Sequence, residues 1–366
     1  MRRATVYDVA ERAGVSIATV SFTYRQPNRV RESTRRKVLA AARELDYIPS
    51  ANARGLAKGR TGVLGLYSFD LLLEHPLGQG NPASDVGLKS DVDSDLDGAE
   101  PNIRAYPLYV DEVQRGFELE CWHQGQAVLL SSSDDGKRGE SITDLAGRVD
   151  GLALFSWGES PEALKRLAKT IPVVMLSQSK GDLPVMYLSF DNESGMNRIV
   201  DHLVDVHGAR RIVFIGTLDF PEVGVRLDIV KRRVHKRGLP ACRPIDAVLD
   251  HRVLYQALAH VVREDKLPDA LVCANDQMAL SVMDVLLDLG IRVPRDVIVT
   301  GVDGILAGRF ATPALTTVQL YMERLGRLAA DSLAERDGQP WKEPRSAMAP
   351  ARLVVRESCG CHGQAV

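Results

Sequence analysis

The sequence contains few cysteines and no long apolar run. Its five cysteines are an odd number without a C-x-x-C pair, which excludes a disulfide scaffold and favours reduced thiols in a reducing compartment. No apolar run approaches the roughly 20 residues that a membrane-spanning helix needs. The first residues are basic but lack the apolar stretch of a secretory signal. We therefore expect a cytoplasmic protein with no membrane partner.

The sequence also lacks the short motifs of common enzymes. It has no G-x-G-x-x-G fingerprint, Walker loop, G-x-S-x-G elbow or H-E-x-x-H pair. Its eight histidines are scattered without the spacing of metal ligands. Cys359, Cys361 and His362 give too few ligands for a structural zinc site, and we interpret them as ordinary residues. We predict no catalytic residue, no cofactor and no bound metal.

Charge is distributed unevenly along the chain. Residues 1–60 contain 13 Lys and Arg against 5 Asp and Glu, whereas the remainder contains 33 against 43. A basic head on an acidic body is typical of a polyanion-binding module fused to another domain. A random fluctuation of surface charge is the alternative at this point.

The basic head has the pattern of three helices. Thr5 is a candidate capping residue for the first helix, and Gly14 ends it with a tight turn. Ser16 is a good N-cap for a second helix over 17–24, and a third helix is predicted over 33–46. A helix, a short glycine turn and a second helix form the helix-turn-helix arrangement.

In that arrangement the second helix enters the major groove of DNA. Hydroxyl groups can donate to phosphates or base edges, small apolar groups can contact thymine methyls, and arginines can bind guanine or phosphates. The candidate DNA-binding residues from this pattern are Ser16, Ile17, Ala18, Thr19, Ser21, Phe22, Arg25 and Arg29. A small protein-interaction bundle with a solvated basic face is the alternative interpretation of this head.

The body alternates short apolar runs with helical stretches. Strands spaced by helices predict doubly wound parallel sheets, and about 300 residues are too many for one such sheet. The predicted strands cover 62–68, 126–132, 150–156, 172–178, 210–216, 270–276 and 296–303. Ligands in such folds bind beyond the carboxyl ends of strands. The polar residues at those ends are Asp70, Ser177, Asn275, Asp276 and Asp303. Tyr109, Trp157 and Phe220 are aromatic candidates by position.

Several motifs together resemble the LacI/GalR family of transcription regulators. They include TVYDVAERAGVSIATVS, DNESGMNRIVDHL, CANDQMAL, GIRVPRDVIVTGVDG and LVVRES, in family order. The resemblance implies a bacterial, nucleoid-associated homodimer on a pseudo-palindromic operator, and a cleft for a small-molecule effector of the sugar class that Arg226 helps to line. It adds further candidate DNA-binding residues, namely Tyr7, Thr34, Tyr47, Ser50, Ala53 and Leu56. It also implies that residues 50–58 form a hinge helix in the minor groove, with Leu56 as a wedge. Tyr7, Thr19, Ser21, Tyr47 and Ala53 match the family's DNA-contact positions.

The sequence departs from the family pattern at several functional positions. Phe22 replaces the usual arginine, which implies a different operator preference, although Phe22 is equally compatible with a packing role. Ser177 stands where many members have an aspartate, and Asp303 is followed by Gly304 rather than a second acidic residue. An insertion at about 74–102 contains seven acidic residues and is expected to be a mobile loop.

These observations predict a multi-domain protein, with an all-α helix-turn-helix head and a two-lobed α/β body like periplasmic binding proteins. We assign the head to 1–47, a hinge segment to 48–61 and an effector-binding and dimerisation domain to 62–366. Within it the first lobe is expected at about 62–187 plus 319–340, and the second at about 188–318 plus 341–358. The predicted function is a dimeric repressor of carbohydrate-related genes that responds to a sugar. An activator, a regulator without an effector, and a protein-interaction sensor remain alternatives.

Overall fold

The computed structural model describes most of the 366 residues. The described ranges are 4–47, 60–69, 108–134, 138–139, 141–155, 160–218, 220–263 and 267–361. Several expectations lie outside them, namely those on the hinge positions Ser50, Ala53 and Leu56, on Asp70, on Trp157, on His362 and on the 74–102 insertion.

The head is a bundle of three short helices. They are α1 (Val6–Ala13), α2 (Ile17–Arg25) and α3 (Glu32–Glu44). Thr5 and Asp8 form the predicted capping box on α1, and Gly14 ends that helix with a left-handed φ of 64°. Val9, Val20 and Val38, one from each helix, are fully buried and hold the three helices together. The third helix ends before the predicted Asp46, because that residue adopts a left-handed φ of 48°.

The first lobe is built on a seven-stranded sheet with the order β12-β6-β5-β4-β1-β2-β3. Its strands are β1 (Val63–Phe69), β2 (Ala127–Asp134), β3 (Arg138–Gly139), β4 (Gly151–Leu154), β5 (Val173–Leu176), β6 (Met186–Phe190) and β12 (Arg345–Ala349). Its helices are α4 (Leu108–His123), α5 (Ile142–Ala146), α6 (Pro161–Thr170) and α12 (Met322–Glu335). Residues of α4 and α12 pack on one face of this sheet, and residues of α5 and α6 on the other. The sheet is therefore doubly wound, as predicted.

The second lobe repeats this layering on a six-stranded sheet with the order β13-β11-β10-β9-β7-β8. Its strands are β7 (Ile212–Gly216), β8 (Pro244–Asp246), β9 (Ala270–Cys273), β10 (Ile298–Asp303), β11 (Thr316–Leu320) and β13 (Ala351–Val354). Its helices are α7 (Asn192–Asp205), α8 (Pro221–Lys236), α9 (His251–Arg263), α10 (Asp276–Asp288) and α11 (Leu306–Phe310). Among the described helices, none combines the length and apolarity needed to span a bilayer.

The chain crosses between the lobes three times. The crossings follow β6, β11 and β12, at residues 190–192, 320–322 and 349–351. The first two lie close to the expected boundaries, but the expected third boundary near residue 341 is wrong. Strand β12 stays in the first lobe because it pairs in parallel with β6, with Arg345 beside Met186.

Candidate nucleic-acid interface and ligand cleft

The start of α2 presents the small side chains that the sequence predicts for a recognition helix. Ser16, Ile17 and Ala18 are exposed. The Ser16 hydroxyl accepts a hydrogen bond from the Thr19 backbone N–H at 3.1 Å and lies 2.9 Å from the Thr19 hydroxyl. This cap fixes the first turn of the helix and with it the positions of the exposed side chains there.

Phe22 lies further along α2 and is 40% exposed. The guanidinium carbon of Arg29 lies 5.4 Å from the centre of its ring, which is cation–π distance. Phe22 therefore presents apolar surface and positions a positive charge beside it. An exposed aromatic surface suits contact with a thymine methyl, whereas the family's arginine suits guanine.

The other DNA-contact candidates of the head differ in exposure. Tyr7 is 67% exposed, whereas Thr19, Ser21 and Thr34 are half-buried. Tyr47 is half-buried against Tyr24, with ring centres 6.4 Å apart. The side chain of Arg25 lies outside the described part of the chain. These DNA contacts remain predictions.

The first described residues of the body are hydrogen-bonded to Asp150. The carboxylate of Asp150 is buried and accepts hydrogen bonds from the backbone N–H groups of Thr61 and Gly62 at 2.6 and 2.7 Å. Arg60 forms ion pairs with Asp150 and with Asp337. Residues 60–62 are thus attached to the base of the first lobe.

A cavity of about 160 Å³ lies between the carboxyl ends of the two sheets. Both lobes contribute its wall, and Leu108 of α4 donates its backbone N–H across the cleft to Oε1 of Gln277 at 2.9 Å. The described lining residues are Tyr109, Phe155, Leu176, Ser177, Gln178, Thr217, Phe220, Pro221, Glu222, Val223, Arg226, Leu249, Ala274, Asn275, Gln277, Met278 and Asp303. Of the residues named from sequence, the structure places Ser177, Arg226, Asn275 and Asp303 in this wall, together with Tyr109 and Phe220.

Arg226 is the fixed positive charge of the cleft. Its guanidinium, on the buried face of α8, donates to Oδ1 of Asn192 at 3.0 Å and to the carbonyl of Ala274 at 2.7 Å. It also donates to Glu222 at 3.2 Å and lies 3.8 Å from Oδ1 of Asp303. Burial raises the pKa of Asp303 well above its ordinary value, and the charge of Arg226 opposes that shift. The arrangement can offer a ligand both a cation and hydrogen-bonding oxygens.

Ser177 combines backbone strain with an unsatisfied hydroxyl. It has a left-handed φ of 56°, which is uncommon for a residue other than glycine. Its hydroxyl oxygen is buried in the cleft wall without a hydrogen-bond partner among the described residues. A buried polar group of this kind is most readily satisfied by a ligand or by water.

Asp276 has a different place from the one that the sequence predicts. It is 0% exposed and is not among the described lining residues. Its carboxylate accepts hydrogen bonds from the backbone of Gly304 at 2.8 Å, from the backbone of Ile305 at 2.9 Å and from the Thr317 hydroxyl at 2.5 Å. Burial raises its pKa to about 7. In this structure Asp276 supports the loop that follows Asp303, and its expected contact with a ligand stays a prediction.

Position at the carboxyl end of a strand identifies only some of the residues that line the cleft. Asn275 is at a strand end as predicted, but its side chain also caps α10, accepting from the Met278 N–H at 2.8 Å. Glu222, Gln277 and Phe155 line the cleft without having been named from sequence. Gln277 follows directly after the Asn-Asp pair, and the first turn of a helix after a strand end is the signal that could have identified it.

Parts of the chain match two known protein families. The one described as bacterial regulatory proteins of the lacI family covers residues 5–50, which include all three helices of the head. A second, described as a periplasmic binding protein-like domain, covers residues 200–359. This range includes most of the second lobe and the cleft residues Arg226, Asn275 and Asp303.

Individual proteins match over almost the whole length. The HTH-type transcriptional repressor PurR of Proteus mirabilis is 30% identical over 364 residues, which cover 97% of this chain and 96% of that one. A lac repressor dimer bound to operator and the anti-inducer ONPF has a TM-score of 0.76 at 25% identity, covering 98% and 99% of the two chains. A complex of the transcriptional regulator CelR with cellobiose has a TM-score of 0.61 at 25% identity, covering 97% and 100%.

Proposed function

Because the chain belongs to the lacI family of bacterial regulatory proteins, we propose that it is a dimeric, sequence-specific DNA-binding repressor. It represses carbohydrate-related genes, and a sugar in the cleft changes its affinity for a pseudo-palindromic operator. The observation that carries this proposal is the presence, in one chain, of an exposed recognition helix and a two-lobed cleft with an unsatisfied hydroxyl.

The head supports binding in the major groove. Its second helix presents hydroxyl and apolar groups, and the turn that follows adds the cationic group of Arg29 beside Phe22. One such head contacts only half a site, and a dimer doubles the contacts while fixing the spacing of the half-sites. The solved lac repressor that resembles this chain is a dimer on its operator, and we assign the same assembly here.

The chemistry of the cleft supports a sugar as the effector. Sugar hydroxyls bind best to fixed polar groups, and aromatic rings pack on the apolar faces of sugars. Arg226, Ser177 and Asn275 supply the polar groups, and Tyr109 packs edge-on against Phe155 at 5.8 Å between ring centres. The similar CelR structure contains cellobiose, which supports the same class of ligand.

The position of Arg226 suggests how the cleft is coupled to DNA binding. It donates to Asn192, the first residue after the first crossing between the lobes. A ligand that contacts both lobes favours one angle between them, and the crossings transmit that angle to the base of the first lobe. There Asp150 holds the segment that leads to the head. Such coupling is typically about 1–3 kcal/mol.

The proposed function requires no catalysis. Among the described lining residues, no histidine or cysteine accompanies Ser177 as a general base or nucleophile. Occupancy of an operator is sufficient for repression, and the site of action is DNA in the cytoplasm.

Fluorescence anisotropy with labelled DNA from the region upstream of the chain's own gene tests the proposal. We expect saturable binding that exceeds binding to a scrambled duplex and weakens as salt increases. Sedimentation of the same complex should show two chains per duplex. Equal binding to both duplexes at every salt concentration would contradict the assignment and favour a protein-interaction module.

A further inference from the structure

Four metal-ligand side chains meet on the second lobe, away from the cleft. They are His202, His207, Cys359 and Cys361, and their ligand atoms all lie within 4.8 Å of one another. The two histidines belong to the end of α7 and the turn after it, and the two cysteines follow β13 by several residues. The sequence alone does not reveal this group, because about 150 residues separate its halves.

Four of the six distances within the group are close to the edges of a tetrahedral site. The two Nε2 atoms are 3.2 Å apart. Sγ of Cys359 lies 3.4 Å from Nε2 of His202, and Sγ of Cys361 lies 3.8 and 3.5 Å from the Nε2 atoms of His202 and His207. Zinc bonds of about 2.0 Å to nitrogen and 2.3 Å to sulfur give edges of about 3.3 Å between nitrogens and 3.5 Å between nitrogen and sulfur. The observed separations match these edges closely.

The local backbone is shaped to bring the four side chains together. His202 lies in the last turn of α7, and His207 follows it, so that the two rings meet edge to face at 74°. Cys359 is almost fully buried. Gly360 between the two cysteines has a left-handed φ of 96°, which a side chain would make unfavourable. This turn returns Cys361 to the same side as Cys359.

We propose that His202, His207, Cys359 and Cys361 bind one zinc ion in a structural site. Two thiolates and two imidazoles form a closed four-ligand set that suits zinc and leaves no open position for catalysis. On binding, each thiol releases its proton to solvent, and the two thiolates neutralise the charge of the ion.

The position of the site indicates its role. His207 precedes β7, and Gly360 lies beside Pro294, which precedes β10. The zinc site is therefore at the amino ends of these strands, whereas the cleft is at their carboxyl ends. The ion would attach the segment after β13 to the end of α7 and stabilise the second lobe without contacting the effector. This inference does not depend on the proposed function.

Metal analysis of the untagged, full-length protein tests the proposal. The protein is purified under reducing conditions without chelator, and its zinc content is measured by mass spectrometry. We expect about one zinc per chain, falling at least tenfold in Cys361→Ser and in His207→Asn. Cys242→Ala and His235→Asn are the matched controls, because they change the same residue types elsewhere in this lobe, and they should retain the metal.

A site that loses its zinc during purification would look empty in the metal analysis. A cobalt titration of the metal-free protein detects such a site. Tetrahedral cobalt bound to thiolate has intense visible absorption together with a sulfur-to-metal charge-transfer band. Both should appear with wild type and the controls, and both should be lost in Cys361→Ser, while circular dichroism shows that this variant remains folded. Absence of zinc and of these bands in wild type would overturn the proposal. Equal metal content in wild type and the ligand variants would overturn it too, and would leave the four side chains as a hydrogen-bonded cluster.

Discussion

Ser177 and Asp276 are both polar residues near strand ends, but their hydrogen bonds give them opposite roles. Asp276 is fully buried and accepts three hydrogen bonds from its own lobe. Ser177 lines the cleft, and its hydroxyl has no partner among the described residues. In the sequence both residues are polar side chains at the end of a strand. That position does not determine which of them finds hydrogen-bond partners within the protein.

Replacing Asp276 by alanine should destabilise the second lobe. The change leaves two backbone N–H groups and the Thr317 hydroxyl buried without their acceptor. At roughly 1–3 kcal/mol for each unsatisfied group, we expect the free energy of unfolding to fall by about 3 kcal/mol in urea denaturation. Asp276→Asn keeps an acceptor and should cost much less. A stable alanine variant that lost only its response to sugar would instead make Asp276 a ligand residue.

Replacing Ser177 by alanine should weaken the response to sugar and leave the stability almost unchanged. The hydroxyl contributes little to the folded state without a partner, so the free energy of unfolding should change by less than about 0.5 kcal/mol. The sugar concentration that half-saturates the response in DNA-binding titrations should rise about tenfold, since a ligand hydrogen bond is lost. An unchanged half-saturation would remove Ser177 from the effector site.

Phe22 should contribute to specific recognition rather than to general affinity. Phe22→Ala removes exposed apolar surface and the ring beneath Arg29, so operator binding should weaken by about 1–3 kcal/mol. Lys37→Ala, an exposed positive charge on α3, is the control and should weaken operator and random DNA alike. Competition anisotropy measures both affinities. Equal losses for Phe22→Ala on the two duplexes would show that Phe22 only packs.

At the scale of elements, the seven apolar runs all become strands, since buried parallel strands carry a strong local signal. The sequence does not predict β3, β6, β8, β11, β12 and β13. Strand β12, with the sequence RSAMA, is mostly exposed and exists because it pairs with β6, which is more than 150 residues away. An edge strand of this kind depends on its neighbour more than on its own composition. For the same reason the third boundary between the lobes could not be placed.

The packing of α4 against α12 depends on two glycines. A Cβ at Gly116 would overlap the carbonyl oxygen of Glu323, and one at Gly326 would overlap that of Val113. Gly116→Ala should therefore separate the two helices and lower the free energy of unfolding by about 1–3 kcal/mol or more. Gly224→Ala in α8 meets no atom within 4 Å and should stabilise by about 0.4–1 kcal/mol. Thermal unfolding that showed the same effect for both variants would contradict the close contact.

At the scale of the whole molecule, three crossings connect two lobes that both line one cleft. The family resemblance predicted this arrangement from dispersed motifs. It did not predict the contacts that join the two lobes, such as that of Leu108 with Gln277. Those contacts depend on the angle between the lobes, and no local pattern contains that angle. In the proposed function, contacts of this kind let a ligand change DNA affinity without contacting DNA.

The coupling between the cleft and the head is tested most directly by titrating labelled upstream DNA with the protein, in the presence and absence of a panel of sugars that includes ribose and cellobiose. We predict that at least one sugar changes the operator dissociation constant by about 5- to 150-fold, and that Ser177→Ala shifts the concentration at which this happens. Specific operator binding that no sugar alters would contradict the account of the cleft as a sugar-responsive site, while leaving the head as a DNA-binding module.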